Sequence, residues 1–183
     1  ELRDVTNNEI PIFLKLAAGR VWEDVKIAVK AGVDGIVIDG AEGGTGAAPV
    51  VASNNLGIPT LPALVQAVRS LEDMGVKEEI SLIVSGGIKD GSDVAKALAL
   101  GADAVAVSNS AIQAIGCLGM RACNTNTCPV GTATQKPHPR QRLKIEKGAG
   151  QLNNFFRAST ELMQVMARAC GHDHLNKFCI DDL

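Results

Sequence analysis

Four short apolar runs alternate along the chain with longer segments of helical periodicity. Each run is near-continuously apolar and rich in β-branched residues, which is typical of parallel strands covered on both faces. The runs are IFLKL (12–16), GIVID (35–39), SLIVS (81–85) and AVAVS (104–108). Between them, apolar residues recur every three or four positions. One such helical face carries Leu61, Leu64, Val65, Val68 and Leu71. Strict alternation of strand and helix predicts a parallel sheet with right-handed crossovers.

Two architectures contain such units, an open doubly wound sheet and an eight-stranded barrel. Four βα units make half of a barrel, and a whole barrel needs about 250 residues, whereas this chain has 183. The barrel interpretation therefore requires a second half that lies elsewhere. We treat residues 1–183 as one domain, with a loop and a long connection over 116–150 and a final helix over 151–170. Asp90 or Ser92 is placed to cap the helix after the third run.

Composition excludes several functional classes. With 46% hydrophobic residues and a formal net charge of −2, the chain has the composition of an ordinary soluble globular protein. It offers no basic run and few aromatic residues to nucleic acid, and no apolar stretch approaches the roughly 20 residues of a membrane span. The N-terminus lacks both a starting Met and the apolar core of a secretory signal. We expect a cytoplasmic protein, present here as a fragment or a processed chain, with no nucleic-acid or membrane partner. The second half of a barrel would be lost from this chain or supplied by a partner.

Candidate chemistry lies where the strands end, because functional groups of parallel α/β folds gather at the carboxyl ends of the strands. Lys15 is the only charge in the first run and stands near its end, so it can offer an ammonium group to an anion. The second run leads into DGAEGGTGAAP (39–49), where Gly43, Gly44 and Thr45 allow the backbone to approach a ligand closely. This loop matches neither the dinucleotide fingerprint nor a P-loop. A flexible glycine-rich turn is the alternative.

The third and fourth runs end in SGGIKDG (85–91) and VSNSA (107–111), where a barrel collects phosphate if these are its seventh and eighth strands. Glycine amides and polar side chains supply the donors. The candidate residues are Ser85, Gly86, Gly87, Ser108, Asn109 and Ser110. Two adjacent sites of this kind imply a cofactor that carries phosphate. A plain left-handed turn at either glycine is the alternative.

Three of the five cysteines fall within GCLGMRACNTNTCPVG (116–131). Cys117, Cys123 and Cys128 are spaced C-x5-C-x4-C, and Pro129 follows the last of them. Soft thiolates clustered on a loop with a Cys-Pro end favour an iron–sulfur cluster, and three ligands favour a three-iron cluster. Zinc and unligated structural cysteines are the alternatives. The isolated Cys170 and Cys179 are interpreted as small buried hydrophobic residues.

The motifs together resemble the FMN-binding synthase domain of glutamate synthase, in its short archaeal and bacterial form. The resemblance runs from FLKLAAGRV through DGAEGGTGAAP and SGGIKDG to GCLGMRACNTNTCPVGTATQ and ARACGHDHLNKFCIDDL, which is nearly the whole chain. It implies an α/β fold, the C-terminal half of a TIM (β/α)8 barrel, with an iron–sulfur cysteine loop inserted after the last strand. It also implies an oxidoreductase that makes glutamate from 2-oxoglutarate and ammonia.

The resemblance assigns roles to the candidate residues. Cys117, Cys123 and Cys128 would ligate a 3Fe-4S cluster. Lys15 would lie near the flavin pyrimidine and the 2-oxoglutarate. The residues that would contact FMN, through its ring or its phosphate, are Gly43, Gly44, Thr45, Ser85, Gly86, Gly87, Ser108, Asn109 and Ser110. Electrons would pass through the cluster to FMN, which would reduce 2-iminoglutarate by hydride transfer.

The resemblance implies partners as well. The first four strands of the barrel and a glutaminase that releases ammonia from glutamine are absent from this sequence, so we expect this piece alone to be inactive. The electron donor would be another subunit or a ferredoxin. Two alternatives stay open: an N-methylglutamate synthase subunit that uses methylamine, and a non-catalytic iron–sulfur electron-transfer or assembly subunit.

Near the C-terminus, His172 and His174 favour a turn over a metal site. Asp181 and Asp182 are interpreted as an exposed acidic end.

Overall fold

The structure of the chain is a computed structural model, and residues 1–43 and 48–183 are described. Its centre is a sheet of four parallel strands, β1 to β4, which are Phe13–Ala17, Gly35–Asp39, Ser81–Ser85 and Ala104–Ala106. The described α-helices, numbered α1 to α8, are Leu2–Val5, Val21–Lys30, Val50–Asn55, Thr60–Asp73, Gly91–Ala99, Asn109–Ala114, Pro137–Arg140 and Ile145–Ala169. Short 3-10 turns cover Cys123–Thr125, Leu175–Lys177 and Ile180–Asp182.

The strand order distinguishes between the two predicted architectures. The strands lie side by side in the order β1-β2-β3-β4, so that each one pairs with its neighbour in sequence. A doubly wound sheet reverses this order at a switch point, whereas a barrel does not. The register aligns Lys15, Val37, Ile83 and Ala104 in one row across the sheet. The prediction of four βα units forming half of a barrel is confirmed.

The core of the chain lies on one face of this sheet. Ile36 and Ile38 of β2, with Leu82 and Val84 of β3, are fully buried under α2 and α4. Residues that alternate with them point to the opposite face, where the Lys15 side chain is 58% exposed. Among the described residues, no helix covers this second face. The sequence predicted strands covered on both faces, and within this chain the structure shows a covering layer on one face only. In a barrel, the second face lines the interior.

Two strands begin or end differently from the sequence prediction. β1 spans Phe13–Ala17, so Lys15 is the middle residue of the strand rather than near its end. β4 ends at Ala106, two residues early, because Ala106 pairs with Ser85, the last residue of β3. No strand residue is left to pair with Val107, and the chain turns into α6.

The final helix packs on the last βα unit. α8 begins at Ile145, six residues before the predicted start, and contacts α5 through alanines. The shared cluster consists of Ala95, Ala99, Ala167 and Phe178. α5 itself begins as predicted, because Asp90 accepts hydrogen bonds from the backbone N–H groups of Ser92 and Asp93, at 2.9 and 3.3 Å. Among the described helices, none is long and apolar enough to cross a membrane.

The one-sided core makes a prediction about neighbouring residues of β2. Ile38 is fully buried beneath the helices, whereas Val37 is half-buried on the open face. We expect Ile38→Ala to lower the free energy of unfolding of this chain by about 2–5 kcal/mol, and Val37→Ala by about 1 kcal/mol or less. Urea denaturation measures both. Equal losses of stability in the two variants would contradict a core that lies on one face of the sheet only.

Candidate functional site

An ion pair lies at the carboxyl end of the sheet, on its open face. The Nζ atom of Lys15 is 2.7 Å from Oδ2 of Asp39, which is the last residue of β2. The Asp39 side chain is only 16% exposed, and its Oδ1 atom is buried without a hydrogen-bond partner among the residues that the structure describes. Asp39 was not among the sequence candidates. The signal was available, because it is an acidic residue that ends an apolar strand.

A second polar contact ties the glycine-rich loop to α4. Glu42 Oε2 accepts the backbone N–H of Thr60, at 3.0 Å, and lies 2.9 Å from the Thr60 hydroxyl. Thr60 is the first residue of α4, so the Glu42 carboxylate meets both a free N–H and the positive end of the helix dipole. The Thr60 hydroxyl also lies 2.8 Å from the carbonyl oxygen of Gly86. This buried threonine, also absent from the sequence candidates, therefore joins the loops after β2 and β3.

The two glycines after β3 must be glycines. Gly86 has φ +103° and Gly87 φ +70°, both in the left-handed region that side chains disfavour. A Cβ on Gly86 would lie 2.9 Å from Thr60 Oγ1 and 3.2 Å from the amide nitrogens of Gly40 and Gly43. The turn after β3 is therefore pressed against the loop after β2. The two loops therefore lie side by side at the carboxyl end of the sheet, a region that we call the mouth.

Of the remaining loop candidates, Gly43 and Ser85 lie at this end of the sheet. Gly43 packs directly against Oδ1 of Asp39, whereas Gly44 and Thr45 lie outside the described residues. Ser85 ends β3 in the same row as Asp39.

The turn after β4 is joined to the turn after β3. The Ser110 hydroxyl donates to the carbonyl of Ile88, at 2.9 Å. Ser108 and Asn109 are exposed where α6 begins. The structure therefore brings Lys15, Gly43, Ser85, Gly86 and Gly87 to one end of the sheet, with Ser110 linked to them through Ile88.

Cys128 occupies an environment that stabilises a thiolate. It is buried, and its sulfur lies 3.4 Å from the Thr132 hydroxyl. The hydrogen bond from Thr132, together with those from the backbone N–H groups of Ala133, Val130 and Thr132, lowers the pKa of Cys128 from 9.0 to about 6, against the opposing effect of burial. Hydrogen bonds of this kind also surround the sulfur atoms of iron–sulfur centres.

The other two cysteines of the loop are more accessible. Cys117 is half-buried and accepts an N–H···S contact of 3.5 Å from Gly119, while Cys123 is exposed at the start of a 3-10 turn. In the part of the chain that the structure describes, no three His, Cys, Asp or Glu side chains are close enough to hold one metal ion.

The loop is held by contacts outside the cysteines. Asn126, in the left-handed region at φ +58°, accepts the backbone N–H of Gln135 at 2.6 Å and the Thr134 hydroxyl at 3.1 Å through its side-chain oxygen. The Arg142 side chain donates to the carbonyl of Pro129, at 2.7 Å. These bonds fix the chain on both sides of Cys128.

The C-terminal residues differ from the sequence interpretation. Cys170 and Cys179 are exposed rather than buried, because they lie at the end of α8 and in the tail that follows it. Asp182 is not a free acidic end, since its side chain is 12% exposed and lies 2.9 Å from His172 Nε2. Contacts with the Cys179 backbone N–H and then His172 lower the pKa of Asp182. His174 caps a turn by accepting the N–H of Asn176, at 3.1 Å.

The Thr60 junction can be tested with an isosteric substitution. Thr60→Val removes the hydroxyl while it preserves the volume, and it leaves Glu42 and the carbonyl of Gly86 without that donor. We expect a loss of about 1–3 kcal/mol in the free energy of unfolding, measured by urea denaturation. Thr60→Ser keeps the hydroxyl and should retain most of the stability. A larger loss in the serine variant would show that the methyl group, not the hydroxyl, matters.

The Cys128 environment predicts a pH dependence in metal-free protein. Because the folded pKa is about 6, alkylation by iodoacetamide should rise with pH through a midpoint near 6. The thiolate stabilises the fold fully above the unfolded pKa near 9, and this contribution is lost as pH falls through about 6. Thr132→Val should move the midpoint upward. Cys170 is the internal control, since partial desolvation of its thiol and then the negative charge of Asp182 raise its pKa. Site-resolved mass spectrometry distinguishes the two, and a Cys128 midpoint above that of Cys170 would contradict the assignment.

Sequence comparison identifies relatives along the whole chain. A family model described as "Conserved region in glutamate synthase" matches residues 1–173. A glutamate synthase large subunit-like protein of Rhizobium meliloti is 41% identical and covers all of this chain, and an archaeal glutamate synthase (NADPH) of Methanocaldococcus jannaschii is 39% identical over 93% of it. The matches span only 45% and 34% of those two proteins. The chain thus corresponds to less than half of each relative.

Structural comparison gives the same fold at lower sequence identity. A mutant flavocytochrome b2 with benzoylformate superposes with a TM-score of 0.59 at 21% identity, over 98% of this chain and 36% of that one. At this identity the likeness shows the fold alone. The sequence matches go further, and the chain belongs to the glutamate synthase family, in its short archaeal and bacterial form.

Proposed function

We propose that this chain is the C-terminal half of the catalytic barrel of a cytoplasmic glutamate synthase. The complete protein would bind FMN and a 3Fe-4S cluster and would reductively aminate 2-oxoglutarate with ammonia derived from glutamine. The observation that carries the proposal is the convergence of Lys15, Asp39 and the glycine turns at one end of the sheet. The same chain has a cysteine loop in which two of the three sulfurs receive hydrogen bonds. Family membership supports the same assignment.

The mouth of the sheet fits a flavin phosphate and ring. Gly86 and Gly87 adopt left-handed conformations that let the turn after β3 pack against the loop after β2, and their backbone N–H groups are the donors that we propose for the phosphate. Ser108 and Asn109 add exposed polar side chains at the neighbouring turn. In this proposal the turns hold the phosphate, and Gly43, with Gly44 and Thr45, lies against the ring.

Lys15 supplies the charge that the chemistry needs. Its ammonium group lies on the open face, where it can stabilise negative charge on the flavin pyrimidine or bind a carboxylate of 2-oxoglutarate. Asp39 fixes the position of that ammonium group through the 2.7 Å ion pair. A pure electron carrier would need neither residue, which favours the catalytic function over the non-catalytic alternative.

The cysteine loop fits a cluster by the chemistry of its donors. Cys117, Cys123 and Cys128 are the proposed ligands, and Thr132 and Gly119 donate hydrogen bonds to two of their sulfurs. When bound, FMN supplies hydride transfer and the cluster supplies one-electron transfer. The protein side chains supply position, charge and exclusion of water.

The proposal is tested on this chain produced together with the preceding half of its barrel, purified without oxygen. We expect flavin and about three irons per chain, by visible absorption, iron assay and electron paramagnetic resonance. Cys117→Ser, Cys123→Ser and Cys128→Ser should each lose iron and keep flavin, whereas Cys170→Ser, the matched control, should keep both. Zinc in place of iron, or a closed barrel without flavin, would refute the proposal.

Lys15 is tested on the same preparation. Lys15→Ala should retain both cofactors and lower turnover by at least about 100-fold, while Lys15→Arg should recover part of the activity because it keeps the charge. Assays with ammonia and with methylamine distinguish glutamate from N-methylglutamate formation. Unchanged turnover in Lys15→Ala would remove this residue from the catalytic machinery.

A further inference from the structure

Two exposed cysteines lie outside the cysteine loop and have no part in the proposed function. Cys170 directly follows α8, and Cys179 directly precedes the last 3-10 turn of the tail. Both are free thiols. Disulfides in cytoplasmic proteins, where they occur, are usually transient and redox-sensing rather than structural. A pair of accessible thiols in such a protein therefore raises the question of whether the two sulfurs can meet.

Packing returns the tail to the end of the helix that precedes it. Phe178, the residue before Cys179, is buried in one cluster with Ala167, which lies about one helical turn before Cys170. The Phe178 ring also meets the ring of His172 edge to face, with 5.9 Å between the two ring centroids. Phe178 therefore holds Cys179 near the end of α8, where Cys170 lies.

Asp182 joins the surroundings of the two cysteines. Its Oδ2 atom accepts the backbone N–H of Cys179 at 2.8 Å, and its own backbone N–H donates to the Cys179 sulfur. The same carboxylate lies 2.9 Å from Nε2 of His172, two residues beyond Cys170. Partial desolvation, the charge of Asp182 and a hydrogen bond with its carboxylate raise the pKa of Cys170, and the nearby Cys179 sulfur adds to this effect. One carboxylate is therefore within reach of both thiols.

We propose that Cys170 and Cys179 form a reversible oxidation site, at which a low-molecular-weight disulfide such as oxidised glutathione links the two sulfurs and so ties the tail to α8. Eight residues separate the two cysteines, so the bond closes a short loop. Because Phe178 and Asp182 already hold the two backbone segments together, rotation of the exposed side chains is the motion that the bond requires. The site is independent of the proposed flavin and cluster.

The oxidation proceeds by thiol–disulfide exchange. The Cys179 thiolate attacks one sulfur of oxidised glutathione and releases the first glutathione thiolate. The Cys170 thiolate then attacks the Cys179 sulfur of this mixed disulfide and releases the second, so that two electrons pass from the cysteines to glutathione. The protons lost by the two cysteines neutralise the two released thiolates. The carboxylate of Asp182 is placed to accept the proton of Cys170 on its way to solvent.

A lysine inside the closed loop reports whether the tail is tied down. Lys177 is exposed and forms an ion pair with Asp173, at 2.6 Å, whereas the next residue, Phe178, is buried. Trypsin therefore reaches the peptide bond after Lys177 when the tail opens and exposes Phe178, and the rate of cleavage follows the population of the open form. A disulfide between the cysteines restricts this opening.

The test uses the protein with both halves of its barrel, purified without oxygen and then equilibrated in glutathione buffers with a rising oxidised fraction. Peptide mass spectrometry without reduction locates each disulfide. We expect a bond between Cys170 and Cys179 as the main product, and tryptic cleavage after Lys177 that is at least about 10-fold slower in the oxidised protein. Dithiothreitol should restore the original rate of cleavage.

Two variants serve as controls. Cys170→Ser should accumulate the glutathione adduct of Cys179 at least about 10-fold above the wild-type protein, because the second exchange step is lost, and oxidation should leave its cleavage rate unchanged. Cys170→Ser/Thr160→Cys keeps the number of exposed thiols but moves one of them along α8. It should form glutathione adducts without an internal bond. Stable adducts on both wild-type cysteines, a bond between two molecules, or equal cleavage before and after oxidation would overturn the proposal.

Discussion

Parallel pairing of four consecutive strands, with one face buried and the other open, is the constraint on which the rest of the structure depends. The register fixes which residues share a row, so Asp39 of β2 and Ser85 of β3 end side by side. The buried face supplies the hydrophobic stability, with Ile36, Ile38 and Leu82 fully enclosed. The open face can therefore carry a lysine, a carboxylate and glycines, residue types that would weaken a core.

The loops at the end of the sheet depend on this scaffold and then on one another. Thr60 couples the loop after β2 to the turn after β3, and Ser110 couples that turn to the start of α6. Each contact uses a hydroxyl and either a backbone carbonyl or a carboxylate, which are short-range interactions with defined geometry. The cysteine loop is also held by side-chain hydrogen bonds, because Asn126 accepts the backbone N–H of Gln135 and Arg142 donates to the carbonyl of Pro129.

Much of the fold could be predicted from the sequence because it depends on local periodicity. The four β-branched runs became the four strands, and Asp90 capped α5 as its sequence position indicated. The length of β4 could not be read from its own residues, since it is set by where β3 ends. The exposure of Cys170 likewise depends on tertiary context, because the sequence around it does not show which surface the tail covers.

The site was predicted less completely than the fold. Single residues with unusual chemistry, such as Lys15 and the three clustered cysteines, stood out in the sequence. Thr60 did not, because its importance comes from partners 18 and 26 residues away. Asp39 had a signal of its own, as an acidic residue that ends an apolar strand, but its ion pair with Lys15 depends on strand pairing.

The Lys15–Asp39 pair has a consequence for selectivity. Two opposite charges 2.7 Å apart act as a local dipole rather than as a net charge, and the potential of a dipole decays faster with distance than that of an isolated ion. From far away the mouth is close to neutral at this point and does not select ligands by their total charge. At contact distance the field is steep and directional, so a shift of an ångström in the position of an anionic group changes its energy strongly. Discrimination at this mouth therefore depends on alignment.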